Sequence, residues 1–173
     1  MNKKTSNIVL ITTVLIITFL ISSCNKATSY FEVINNFLET YYEQFHETSK
    51  LREIEKELNL LVLQEGKSAP DSEYLNSYFA KFDELLTLNY KDVLIANRRL
   101  PNFKILSSGI DNFKIVDLNI SKSKENICNV QYTLELYKDE SLKDKKDINL
   151  TITLIEDRGN LKINSIQQEK SLY

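Results

Sequence analysis

Few residues of this chain have the means to do chemistry, and they lie far apart. Glu43-Gln44-Phe45-His46 sets a carboxylate and an imidazole three residues apart, on one face of any helix that holds them. Carboxylate-bridged metal sites use that spacing, but they need a second such pair and further glutamates. His46 is the single histidine, so one chain has no second imidazole to offer. The pair reads as a surface feature, and neither metal nor cofactor is expected. Cys128 alternates with apolar residues and reads as a small buried hydrophobe, with no identifiable base to make its thiolate reactive. Asp117 interrupts an extended apolar run. Buried, it would have a raised pKa and suit a general base, with Tyr132 and Tyr41 lining the same pocket. Facing solvent, it would mark a bulge, and that is the expectation.

The elements that must position these groups change character part-way along the chain. Ser29-Tyr30-Phe31-Glu32 is a capping-box pattern. Ile34, Phe37, Tyr41 and Phe45 follow at helical spacing, widened by Phe31, Leu38 and Tyr42. Thr48-Ser49 breaks the helix, and a second runs from about Lys50 with Leu51, Ile54, Leu58, Leu61 and Val62 on one face, stopped at Gly66. Pro70 and Asp71 open a third, with Leu75, Tyr78, Phe79, Phe82, Leu85 and Leu86 as its stripe, continuing through Val93 and Leu94 to Leu100-Pro101. Beyond Pro101 the period falls to two. Phe113 and Ile115, then Val116, Leu118 and Ile120, switch face at Asp117, which predicts a bulge. Cys128 to Leu136 and Ile148 to Leu154 alternate regularly, and Asp157-Arg158-Gly159-Asn160 is a hairpin turn before a last strand at Leu161, Ile163 and Ile166. Such alternation means an antiparallel sheet with one buried face. The expectation is α+β: N-terminal amphipathic helices packed on a curved, four-stranded antiparallel meander.

This order, closing with Asn160-Leu161-Lys162-Ile163-Asn164-Ser165-Ile166, resembles the nuclear transport factor-like cone fold, related to cystatin-like arrangements. Lipoproteins of that type close with Gly-x-Trp-Lys-Ile; here Gly159-Asn160-Leu161-Lys162-Ile163 has leucine in place of the tryptophan. The resemblance covers about residues 28–168 and implies a pocket between helix and sheet, which in the family's isomerases and cyclases holds an Asp, His or Tyr. Here it would hold Asp117 with a tyrosine, since no strand carries a histidine.

The start of the chain bears on location. Lys3 and Lys4 precede an apolar run, Ile8 to Ile21, of leader length and shorter than the roughly 20 residues that a membrane-crossing helix needs. Ile21-Ser22-Ser23-Cys24 at its end resembles the lipobox of bacterial lipoproteins. The resemblance implies cleavage between Ser23 and Cys24 and a diacylglycerol on the Cys24 thiol, holding the protein outside the cytoplasm at the bacterial cell membrane. The expected organisation is a lipoprotein signal peptide at 1–23, a lipid anchor and short tether at 24–28, and one domain at 29–173. Past the leader stand 24 acidic and 20 basic residues, a net charge of −4, which argues against nucleic-acid binding. Cys128 would be the one remaining thiol, so no disulfide within the chain is expected.

The expected function is a lipid-anchored, non-catalytic domain that binds a protein partner or a small apolar ligand at the cell envelope. Alternatives are a pocket enzyme of isomerase or cyclase type using Asp117, and an envelope channel or immunity component. The polar strand positions Asn129, Gln131, Thr133, Thr151 and Thr153 are a candidate homodimer surface. Cys24→Ser is expected to shift the protein out of the membrane fraction and to abolish labelling by a fatty-acid analogue, read by fractionation and gel fluorescence.

Overall fold

Helix α1, Tyr30–Tyr42, begins where Ser29 takes an extended conformation and its hydroxyl accepts the Glu32 amide at 3.2 Å. The computed structural model describes residues 29–62, 73–168 and 172. The leader, Ser23 and Cys24, the stop at Gly66 and the helix start at Pro70-Asp71 lie outside the described residues. Val33, Ile34, Phe37, Leu38, Tyr41 and Tyr42 make the buried face of α1, each contributing about 1.5–3 kcal/mol relative to exposure. Phe31 departs from the expected stripe. It lies in the first turn and is 49% exposed. The helix tightens into a 3-10 turn at Glu43–Phe45 before α2, Thr48–Val62, buries Leu51 and Ile54.

The long third helix divides in two. Helix α3, Glu73–Ala80, ends because the chain leaves it to run beside the sheet: Ile163 donates its amide to the Leu85 carbonyl, and Thr87 donates to the Ile163 carbonyl, both at 2.9 Å. Thr87 then caps α4, Leu88–Ala96, its hydroxyl accepting the Tyr90 amide and donating to Asn164. A short α5, Lys104–Ser108, follows Pro101, where extended chain was expected, and closes at Gly109 with φ +69°.

Four antiparallel strands then form a meander in the order β1-β2-β3-β4: Asn112–Lys124, Ile127–Lys138, Ser141–Asp157 and Asn160–Gln168. The charged stretch after Lys138 is largely strand. Only Asp139-Glu140, both at positive φ, make the turn, as Arg158-Gly159 do between β3 and β4. The bulge at Asp117 is present: its φ is +57°, and the pairing slips between Val116 and Asn119. The extra residue restores parity, so Phe113 and Ile115 before it and Ile120 after it face the same side as Leu136, Leu134 and Val130. A slip between Thr153 and Leu154 brings Ile163 and Ile166 onto the face of Leu154 and Ile152.

The helices cover that inner face, and one polar device sits within the interface. Tyr42, fully buried, meets Tyr132 of β2 hydroxyl to hydroxyl at 2.7 Å and donates to the Leu172 carbonyl at 3.0 Å. Its ring lies among Tyr41, Phe45 and Phe113. By contrast the Tyr78 hydroxyl is buried with no hydrogen-bond partner among the described residues. The two tyrosines therefore respond oppositely to loss of the hydroxyl. Tyr42→Phe strands its buried partners and is expected to cost about 1–3 kcal/mol. Tyr78→Phe removes an unmet group and is expected to be neutral or stabilising. Urea unfolding of the two variants checks the pair.

Candidate functional site

Of Asp117, Tyr132 and Tyr41, the residues of the alternative pocket, the structure brings only the two tyrosines together. Both pack against Tyr42 in the core, at 2–3% exposure. Asp117 is exposed, held out by the left-handed backbone of the bulge. The arrangement therefore lacks the buried carboxylate that an isomerase-like base requires. Glu43 and His46 line one open hollow beside Phe113 but bond different partners: Lys81 bonds Glu43 at 3.4 Å, whereas His46 Nε2 meets Asn112 Oδ1 at 2.9 Å over the Phe113 ring. Among the described residues no three His, Cys, Asp or Glu side chains gather as metal ligands. Cys128 is buried, and burial pushes its thiol pKa up, the wrong direction for a nucleophile.

The apolar concavity is elsewhere, between the helices and the segment after α4. Gln44, on the 3-10 turn and 1% exposed, donates to the Tyr41 carbonyl at 2.6 Å and accepts the Asn102 amide at 2.9 Å. Asn102 in turn reaches the Tyr41 hydroxyl at 3.4 Å. These bonds fasten the Leu100-Pro101-Asn102-Phe103 segment to the end of α1. The segment becomes one wall of a groove of about 680 Å³, with α2 and α3 opposite. Leu58, Leu75, Phe79, Ile95, Leu100, Pro101 and Phe103 make it apolar, while Arg98 and Lys104 on the α4–α5 side and Glu55 on α2 are its charges. Its size falls in the range of small-molecule sites. Residues 63–72, which join α2 to α3, lie outside the described residues. The signal for this wall was available only in part: Leu100-Pro101 was legible as a helix stop, but the Gln44–Asn102 bond spans 58 residues.

A second hollow, about 610 Å³, lies on the outer face of the sheet over Asn129, Gln131, Asn149, Thr151 and Gln167. It is open and amide-rich, and joins no titratable groups.

No family model matches the chain, and no curated protein does. Among solved structures, a de novo β-sheet design protein determined by solution NMR is similar over 75% of this chain and 92% of its own, at 14% identity and a TM-score of 0.31. A likeness of that size carries no argument. Among the described residues no helix is long and apolar enough to cross a membrane.

The tyrosine cluster has a consequence for alkaline stability. Burial raises the Tyr41 pKa to about 12, and burial, reinforced by Tyr132, raises that of Tyr42. The folded state thus holds these protons more tightly than the unfolded chain, where tyrosine ionises near ~10. Their contribution is complete below about pH 10 and is lost as pH rises towards the folded values. Urea midpoints are expected to be flat with respect to these groups below that point and to fall above it, with Tyr41→Phe reducing the fall.

Proposed function

We propose that this chain is a lipid-anchored, non-catalytic binding module that holds a small apolar ligand of acyl-chain type at the cell envelope. The observation that carries the reading is the position of the apolar groove. It lies between helices at the far end of α1, outside a helix–sheet interior filled by packed side chains. Further support comes from Ile21-Ser22-Ser23-Cys24, whose lipobox pattern implies the anchor, and from the two cations beside the groove, which suit an anionic head on an apolar tail. The reading also takes the domain as a nuclear transport factor-like lipoprotein fold with a curved sheet. The order of helices followed by a bulged meander favours this, since bulges bend the strands that carry them. The pocket-enzyme alternative loses its support with Asp117 in solvent.

The ligand reading is tested with a fluorescent fatty acid titrated into the purified protein. Saturable binding is expected. Ala96, exposed beside the groove, offers a way to fill it without touching the core. Ala96→Trp is expected to weaken binding by about tenfold or more, equivalent to at least ~1.4 kcal/mol, with thermal unfolding unchanged. Wild-type protein that shows no saturable binding, or a variant that binds equally well, overturns the assignment.

A further inference from the structure

The outer face of the sheet carries a field of carboxamides that neither the core nor the apolar groove uses. Alternation puts Asn129 and Gln131 of β2, Asn149 and Thr151 of β3 and Gln167 of β4 on that face, because Val130, Leu150 and Ile166 beside them are buried in the core. The register sets them in two rows across the strands. Ser121, Asn129, Thr151 and Gln167 form one, and Asn119, Gln131 and Asn149 form the next. Side chains directly opposite stand about 5 Å apart, and those along a strand about 7 Å apart. Asn129, Gln131, Asn149, Thr151 and Gln167 line the outer hollow of about 610 Å³, a volume within the ~300–1,000 Å³ of small-molecule sites.

This field is polar, uncharged and largely unbonded. The Thr151 hydroxyl donates to Asn129 Oδ1 at 3.5 Å, whereas the carboxamides of Gln131, Asn149 and Gln167 bond no other described residue. Neither row holds a charged side chain, in a chain of which 27% is charged. Charge returns only in the following rows. Asp147 accepts the Thr133 hydroxyl at 2.8 Å, and Lys114, Glu135 and Lys145 align beyond it. Neither Asp147 nor Asp117, at the bulge before Asn119, lines the hollow. Solubility would be met as well by lysine and glutamate here, and bare Asn and Gln ladders favour stacking between chains. A charge-free patch of amides therefore calls for an occupant.

We propose that this hollow binds a neutral, hydroxyl-rich ligand, a saccharide chain lying across β2, β3 and β4. A carboxamide offers two donors and an acceptor in one plane, and a hydroxyl both donates and accepts, so adjacent sugar hydroxyls satisfy both ends of each amide. A charged ligand would meet no counter-charge. A second copy of the chain fits poorly, because a two-fold contact sets the same face against itself, and two facing hollows leave the space between them unfilled. No aromatic ring lines the hollow among the described residues. Binding therefore rests on hydrogen bonds, and four or five of modest net strength correspond to a dissociation constant of about 1 mM. The proposal depends on neither the apolar groove nor the anchor.

Side-chain NH2 signals report on these amides directly. The purified full chain is followed by nitrogen-15 NMR while maltohexaose, cellohexaose or N-acetylchitohexaose is added, with anionic oligogalacturonate as the control. At least one neutral hexasaccharide is expected to shift the signals of Gln131, Asn149 and Gln167 saturably, with a midpoint of about 1 mM. Oligogalacturonate is expected to leave them in place. Gln131→Thr combined with Asn149→Thr keeps polar residues that suit a strand, and is expected to weaken binding tenfold or more with thermal unfolding unchanged. Signals that none of the neutral sugars moves at ten times that midpoint overturn the site, as does a variant that binds equally well. Shifts that grow with protein concentration alone give the face to a second copy and overturn the proposal too.

Discussion

Helix α1 has to bury a tyrosine hydroxyl in order to lie on the sheet, and much of the domain is arranged around that demand. An unmet hydroxyl in an apolar interior costs more than a bonded one contributes, so Tyr42 requires partners at its own depth. Tyr132 supplies one from the second strand, and the carbonyl of Leu172 supplies the other from a residue 130 positions away. Three distant parts of the chain are thus joined at one oxygen. Gln44, two residues on, repeats the device at the end of the same helix and holds the wall of the apolar groove. Fold and candidate site depend on the same few residues of α1 and its terminal turn.

Much of the architecture was legible because it is local. Alternation in β2 and β3, the cap at Ser29, the turn at Gly159 and the parity switch at Asp117 depend on residues a few positions apart. The divided third helix was not legible. The stripe Leu75, Tyr78, Phe82 and Leu86 continues at helical spacing across a segment that is no longer helix, because backbone bonding to β4 outweighs intrinsic propensity. Helix α5 was missed because five residues give too short a period to read. The candidate groove was the least legible part. Its wall exists through a side-chain bond between Gln44 and Asn102, and no local pattern announces a contact of that range. The reading of Asp117 as solvent-facing agrees with its exposed position, since a left-handed residue in a bulge is turned away from the ladder.

The proposed anchor and groove lie at opposite ends of α1. Thirteen residues of helix span about 20 Å, so with an anchor at Cys24 a groove beyond Tyr42 would stand clear of the headgroups. An apolar ligand held there would be lifted out of the lipid and presented to the aqueous side.

The two borders of the sheet are treated differently. The β4 border is occupied by Leu85 to Thr87. The β1 border has no such cover among the described strands, but it is kinked at Asp117 and studded with Lys114, Lys122 and Lys124. Unprotected strand margins recruit further strands. A kinked, lysine-bearing margin resists such edge-to-edge pairing.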